Sequence, residues 1–218
     1  MKTIEADVVV VGTGPGGASV AKDLVKAGKK VCILESGRDV PPTSSAISGA
    51  LAYVGGLPKA LSLRRGLMLT PEWLLVLRGT TTGGSSMLYL GTAFDPDPKL
   101  WAPFGVDLAD ETKAIKEELQ IGPLPDHLIG AGVHHLGEVA RGLGYDWRKL
   151  NKLIKPEQCR ENCNLCVYGC RWGAKWHSRD WVMDAVSGGA QLKNEYRVEK
   201  VLRRGSQAVG VEGRLGDG

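Results

Sequence analysis

The sequence predicts an α/β, Rossmann-like nucleotide-binding fold, and three observations carry the prediction. An apolar, β-branched run, Asp7-Val-Val-Val-Val-Gly12, leads directly into Gly12-Thr-Gly-Pro-Gly-Gly17 and then into a helical stretch. Glycines 12, 14 and 17 complete a G-x-G-x-x-G spacing. A second apolar run, Lys30-Val-Cys-Ile-Leu34, ends at Glu35, 18 residues beyond Gly17. Strand, glycine turn, helix, strand and terminal acid is the order of a dinucleotide-binding βαβ unit. The glycines let backbone approach a pyrophosphate, and the helix N-terminus near residue 15 offers unpaired N–H groups and the positive end of a dipole. The carboxylate of Glu35 suits a ribose diol.

Length and composition agree with a soluble α/β chain. The 218 residues allow one sizeable domain, and 43% hydrophobic residues with mean hydropathy near zero match a packed core. Met1 to Ala6 runs straight into the first strand, leaving no room for a signal peptide, and no run of about 18 apolar residues could span a bilayer. A cytoplasmic, thiol-reducing location is expected, with membrane association only through a partner. The net charge of +4 is mild and has neither long basic runs nor interleaved aromatics, which argues against nucleic-acid binding.

The remaining elements follow in chain order. Pro15 to Ala27 reads as the first helix, with Gly28 just past its end. Residues 36 to 66 are turn-rich and then mildly apolar, with Pro41-Pro42, Gly55-Gly56 and Arg64-Arg65, and read as an excursion over a cofactor, against a membrane surface or simply through solvent. Trp73 to Leu77 leads into a second loop of small residues, Arg78-Gly-Thr-Thr-Thr-Gly-Gly-Ser-Ser-Met87, whose free backbone donors suit an anionic or planar ligand as well as a plain turn. Helices are expected over Glu111 to Gln120, over Asp126 to Leu143 with Gly144 as the stop, and over Arg179 to Val186 closed by Gly188-Gly189. Ala190 to Leu192, Tyr196 to Leu202 and Ala208 to Glu212 read as strands, the last two joined by a turn at Arg204 to Gln207. His134, His135 and His177 read as surface or satisfied core residues rather than ligands. Cys32, inside the second strand, reads as a small core residue.

Cys159, Cys163, Cys166 and Cys170 fall within 12 residues as C-x3-C-x2-C-x3-C. Four thiols on one short loop can wrap a single compact inorganic core. Structural zinc usually takes two Cys pairs from separated knuckles, whereas gaps of two and three residues resemble the ligand runs of cubane clusters. The spacing therefore favours a [4Fe-4S] cluster, with zinc and metal-free thiols or disulfides as alternatives.

Taken together, the fingerprint at 12 to 17 with Glu35, the Arg78-Gly-x-x-x-Gly-Gly-Ser-Ser86 loop, Gly173-Ala-Lys175 after the cysteines, Gly188-Gly-Ala-Gln-Leu192, and Val198-Glu-Lys-Val201 with Val209-Gly-Val-Glu212 resemble the glucose–methanol–choline (GMC) oxidoreductases. The chain is similar to the N-terminal part of such an enzyme, and more narrowly to a subgroup with a cysteine-rich segment. The resemblance implies a glutathione-reductase-type FAD-binding domain, incomplete in this chain. On that reading residues 1–218 are the N-terminal part of the domain and residues 156–176 a cluster-binding segment within it. It implies that Gly12, Gly14, Pro15, Gly16 and Gly17 surround the FAD pyrophosphate and that Glu35 holds the ribose. Gly79, Thr80, Gly83, Gly84, Ser85 and Met87 would line the pyrophosphate and isoalloxazine, and Val198 would meet the adenine through its backbone.

There are departures from the family pattern. Ser86-Met-Leu-Tyr89 stands where many members carry an Asn near the flavin, and no His occurs in residues 36 to 100, so FAD is expected to be non-covalent. The sequence stops at Gly216-Asp-Gly218, before the family's next strand, substrate lobe and catalytic His pair. No catalytic base is assigned within it. The expected arrangement is a heteromeric enzyme completed by a second polypeptide, in preference to a fragment. The implied reaction oxidises a small-molecule alcohol to a carbonyl by hydride transfer to flavin, and a cluster would pass the electrons singly to a protein or quinone acceptor, as in a dehydrogenase rather than an oxidase. The alternatives are an electron-relay subunit that binds no substrate, and the same chemistry run in the reductive direction.

Overall fold

A computed structural model describes residues 3–43 and 67–216. The strands are β1 (Val8–Val11), β2 (Val31–Leu34), β3 (Leu67–Leu69), β4 (Leu75–Leu77), β5 (Thr92–Ala93), β6 (Gly122–Pro123), β7 (Asn151–Lys152), β8 (Gln191–Lys193), β9 (Tyr196–Arg204) and β10 (Gln207–Leu215). The α-helices are α1 (Pro15–Lys26), α2 (Pro98–Trp101), α3 (Ala109–Glu118), α4 (Ala131–Gly142) and α5 (Ser178–Ser187). The chain divides into two compact units. One comprises Met1–Leu88, Val167–Gly169 and His177–Gly218, and the other comprises Tyr89–Cys166 and Cys170–Trp176. The expected features at Gly55-Gly56 and Arg64-Arg65 lie outside the described residues.

The first unit is built on a parallel sheet of order β1-β2-β8. Every residue of β2 is buried, as expected of a central parallel strand covered on both faces, and Cys32 is one of them. Burial pushes the Cys32 thiol above its ordinary range, which suits an inert core residue. β1 pairs with β2 from Val8↔Val31 to Val11↔Leu34, and its other edge has no partner among the described strands. α1 packs on α5 through small residues, Ala18 and Ala21 on one helix and Val182 and Ala185 on the other. Lys22 lays its buried stem across this seam, with Nζ 4.3 Å from the Trp181 ring centroid. β9 and β10 form an antiparallel ribbon that turns through Gly205 and Ser206. Both strands outrun their expected ends, because backbone pairing continues through Arg203, Arg204, Gly213 and Arg214 where apolar alternation has stopped.

The second unit carries a small antiparallel sheet of order β5-β7-β6 and a core of Ile154, Cys170 and Ala174, against which Leu124, Cys159 and Cys166 pack. The helix expected over Asp126 to Leu143 is broken. Asp126–Leu128 is a single 3-10 turn, Ile129 is extended, and α4 starts only after Gly130, also in an extended conformation. A β-branched residue beside a glycine gives up little helix propensity by leaving the helix, so the break costs little. Among the described residues no helix is long and apolar enough to cross a membrane.

Candidate cofactor sites

The two glycine-rich loops meet in the first unit. β1 delivers the chain to Gly12, whose φ of +92° requires glycine, and α1 begins after Gly14 without a side-chain cap. Pro15 has no N–H and the Ala18 N–H already donates to the Gly14 carbonyl at 2.9 Å, so the donors left for a ligand at this helix end are those of Gly16 and Gly17. A Cβ at Gly12, Gly14 or Gly16 would meet nothing within 4 Å, so open space lies beside the turn. A Cβ at Gly17 would come to 2.2 Å from the Gly12 carbonyl oxygen, so this glycine seats the helix on the strand. The turn thus presents an uncapped helix N-terminus and an unfilled cradle, the arrangement a pyrophosphate needs.

The second loop packs onto this cradle. A Cβ at Gly84 would lie 3.4 Å from the Gly14 Cα, and Gly84–Met87 forms a 3-10 turn. Gly79 abuts the Gly84 carbonyl, and the Gly79 N–H donates to Ser85 Oγ at 3.2 Å. Gly83, Ser86 and Met87 are buried, Thr80 and Gly84 are half-buried, and Ser85 is exposed. The Met87 side chain is fully enclosed, so what the loop offers toward Gly14 is the backbone of Gly84 and Ser85.

Glu35 stands at the end of β2, 6% exposed. Its Oε2 accepts from the Thr13 N–H at 3.0 Å and the Thr13 hydroxyl at 2.5 Å; its Oε1 accepts from Gly37 N–H at 2.8 Å and Ser36 Oγ at 3.3 Å. A carboxylate has about four acceptor sites, so a ribose hydroxyl would take the place of the Ser36 hydroxyl, whose bond at 3.3 Å is the longest of the four. β9 is tied to the same segment, with Tyr196 N–H donating to the Glu35 carbonyl at 2.8 Å and Glu195 N–H to that of Gly37 at 3.0 Å. Val198, half-buried, follows on β9 opposite a bulge at Gly213.

Sequence reasoning missed the polar interior beneath these loops. Thr13, Thr81, Thr82, Ser86 and Ser178 are buried, and Asn194 bonds to Thr82 Oγ1 at 2.7 Å. The available signal was the concentration of Thr and Ser within and just after the glycine runs, which reads as loop polarity unless each hydroxyl is given a partner. His177 precedes α5, buried, with Nδ1 3.3 Å from Asp180 Oδ1. His134 lies on α4, its Nε2 3.2 Å from the Asp126 carbonyl oxygen.

The four cysteines of the loop belong to the second unit, and none is in a disulfide. The loop is tightly wound, with Asn162, Gly169 and Cys170 at positive φ. Cys170 is buried and its Sγ accepts from the Lys175 N–H at 3.5 Å. Burial pushes the Cys159 and Cys166 thiols up, and the nearby Cys163 and Cys170 push both in the same direction. Lys175 is 1% exposed; its Nζ donates to the Tyr89 carbonyl at 3.0 Å and lies 4.5 Å from the Tyr89 ring centroid. As arranged, no group of three or more Cys, His, Asp or Glu among the described residues could hold a metal ion. The donor chemistry thus suits a soft metal, while its geometry is not that of a closed metal site.

Comparison with known proteins agrees with the glycine-loop geometry. The family described as FAD dependent oxidoreductase (DAO) matches residues 7–217. An uncharacterized GMC-type oxidoreductase of Mycobacterium tuberculosis is 30% identical over 228 residues, covering 98% of this chain and 35% of that protein. A long-chain-alcohol oxidase of Arabidopsis thaliana is 27% identical over 231 residues, covering 96% and 29%. Among solved structures, pyridoxine 4-oxidase from Mesorbium loti has the same fold, with a TM-score of 0.61 at 17% identity over 98% of this chain and 48% of its own. The chain spans about a third of the length of the curated relatives it matches. An open glycine cradle at a βαβ turn and a family match over nearly every residue lead to one conclusion: this chain belongs to the FAD-dependent oxidoreductases, and its relatives include GMC-type enzymes.

Proposed function

We propose that this chain supplies the FAD-binding part of a GMC-type enzyme that oxidises an alcohol to a carbonyl. The observation that carries the reading is the open space beside the Gly12–Gly16 turn, against which Gly84 packs, in a chain of this family, and the alcohol class is supported by the relatives that are long-chain-alcohol oxidases. Bound FAD would supply the hydride acceptor. The chain's own residues would bind and orient it. The N–H groups after Pro15 and the backbone of Gly84 and Ser85 would hold the diphosphate, Glu35 the ribose, and the β9 backbone at Val198 the adenine. The base that takes the alcohol proton, and the substrate pocket, would come from a second polypeptide. Among the described strands β1 has no partner on its other edge, and large apolar side chains are exposed, as on a surface that further protein covers.

In the same reading Cys159, Cys163, Cys166 and Cys170 would hold a [4Fe-4S] cluster, which would supply one-electron transfer to a protein or quinone acceptor in a reducing, cytoplasmic setting. Four free thiols in one loop, with a backbone N–H already directed at one sulfur, support it. Ligation would require the half-buried side chains of Cys159, Cys163 and Cys166 to turn toward one centre with Cys170. The thiol loop also supports a second reading, an FAD and iron–sulfur relay subunit that binds no substrate.

Anaerobic purification with iron and sulfide analysis tests the cluster. About four of each per chain, lost in Cys163→Ser with FAD binding kept, is the expected result, and zinc without sulfide would refute it. Rapid mixing of the FAD-loaded chain with long-chain alcohols, alone and with any co-purifying polypeptide, tests the reaction. Flavin reduction only in the complex is expected, with slow reoxidation by O2. Fast reoxidation by O2 would make the enzyme an oxidase, and a complex inert toward alcohols would favour the relay.

A further inference from the structure

A chain of buried hydroxyls runs beneath the flavin cradle, entirely within the first unit. Thr13, fully buried inside the first glycine turn, donates its hydroxyl proton to Glu35 Oε2 and accepts from the Gly83 N–H at 3.0 Å. The Thr13 carbonyl in turn accepts from Ser178 Oγ at 3.0 Å. Ser178, also fully buried, opens α5. Its hydroxyl lies 2.8 Å from the Gly83 carbonyl oxygen and 2.9 Å from Ser86 Oγ, and its N–H donates to Ser86 Oγ at 2.9 Å. Ser86 closes the ring by donating to the Gly83 carbonyl at 2.6 Å.

None of these side chains faces the open space at Gly14, so none is placed to touch a ligand there. What they fix is backbone. Gly83, at φ +93°, is held by its N–H to Thr13 and by its carbonyl to Ser86, with the one Ser178 hydroxyl proton shared between this carbonyl and that of Thr13, and Gly84 follows it onto Gly14. Among groups this deeply buried each bond is strong and each orphaned partner costly, so the network holds the turn in place.

We infer that Thr13 and Ser178 are positioning residues for FAD. Their hydroxyls lock the Gly83–Met87 turn onto the Gly12–Gly17 turn and couple both loops to the carboxylate of Glu35. The inference rests on FAD occupying the glycine cradle. It gives Thr13 a role that its place between two glycines does not announce: contact with the ribose acid on one side and with the second loop on the other.

The test is FAD binding by flavin fluorescence, with thermal unfolding of the FAD-free chain measured in parallel. Thr13→Val keeps the shape and removes the hydroxyl. Its FAD dissociation constant is expected to rise at least about tenfold, with Thr13→Ser restoring it to within about threefold. Ser178→Ala is expected to behave like Thr13→Val, and the double variant should lose less than the product of the two, because both act on the same turn. Loss of thermal stability in the FAD-free variants with unchanged FAD affinity would overturn the inference, as would losses that multiply independently. If Thr13→Val does not fold, Ser178→Ala and Ser86→Ala carry the same comparison. Failure of the wild-type chain itself to bind FAD would instead overturn the cofactor assignment.

Discussion

At Gly17 an added Cβ would stand 2.2 Å from a backbone oxygen, whereas at Gly14 it would stand in open space. Gly17→Ala must therefore push α1 off β1, and a loss of about 1–3 kcal/mol in urea unfolding of the FAD-free chain is expected. Glu35→Ala leaves the buried N–H groups of Thr13 and Gly37 without their acceptor, at about 1–3 kcal/mol for each orphaned group, so it should lower stability even without FAD. Glu35→Gln, which keeps one acceptor oxygen, should lose less in the same unfolding experiment. At this scale the sequence was legible where a residue type has one use. Glycine spacing and a strand-terminal acid specify close backbone approach and a carboxylate held at the end of β2. The roles of Thr13 and Ser178 were not legible, because a hydroxyl acquires meaning only from partners such as Gly83, which is 70 residues from Thr13. The enclosure of Met87 was hidden for the same reason.

Among the elements, Arg179 in the first turn of α5 makes a two-pronged pair with Asp39, Nε and Nη2 each 2.8 Å from a carboxylate oxygen. The guanidinium hydrogen bond holds the Asp39 carboxyl below its usual range. A carboxyl depressed in the folded state stabilises fully above its unfolded value, about 3.9, and that contribution fades as pH falls through the lower folded value. Stability of the wild type is therefore expected to drop more steeply below about pH 4 than that of Asp39→Asn, by under about 1 kcal/mol given the pair's partial exposure, in acid titration of unfolding. The elements that sequence periodicity found, β1, α1, β2 and α5, are those whose apolar pattern and glycine stops agree. The break before α4 escaped it, since Ile129 and Gly130 fit a helical pattern locally yet leave the helix together. The extra length of β9 and β10 escaped it because ribbon pairing does not need apolar alternation.

On the scale of the whole molecule, large apolar side chains remain on the surface. Val133, Leu136, Val139 and Leu143 line one exposed face of α4, and Leu74, Leu75 and Leu77 are exposed in and just before β4. Patches of this kind mark surfaces that another body covers. The chain alone should bind a hydrophobic dye and self-associate with rising concentration, and the complex should do neither, as light scattering would detect. The family, the α/β fold and the open glycine turn were readable in the sequence because each follows from a short local motif. The division into two units was not, since segments 167–169 and 177–218 return to a unit that begins at residue 1. In the proposed function FAD is non-covalent and sits in the open space beside the Gly12–Gly16 turn. The most direct test is FAD titration of the wild type and Gly14→Val, followed by acid precipitation. Wild-type chain that binds one FAD and releases it all into the acid supernatant, with a Gly14→Val chain that folds but does not bind, is the predicted result. Equal binding by both chains, or flavin left on the precipitated polypeptide, would contradict it.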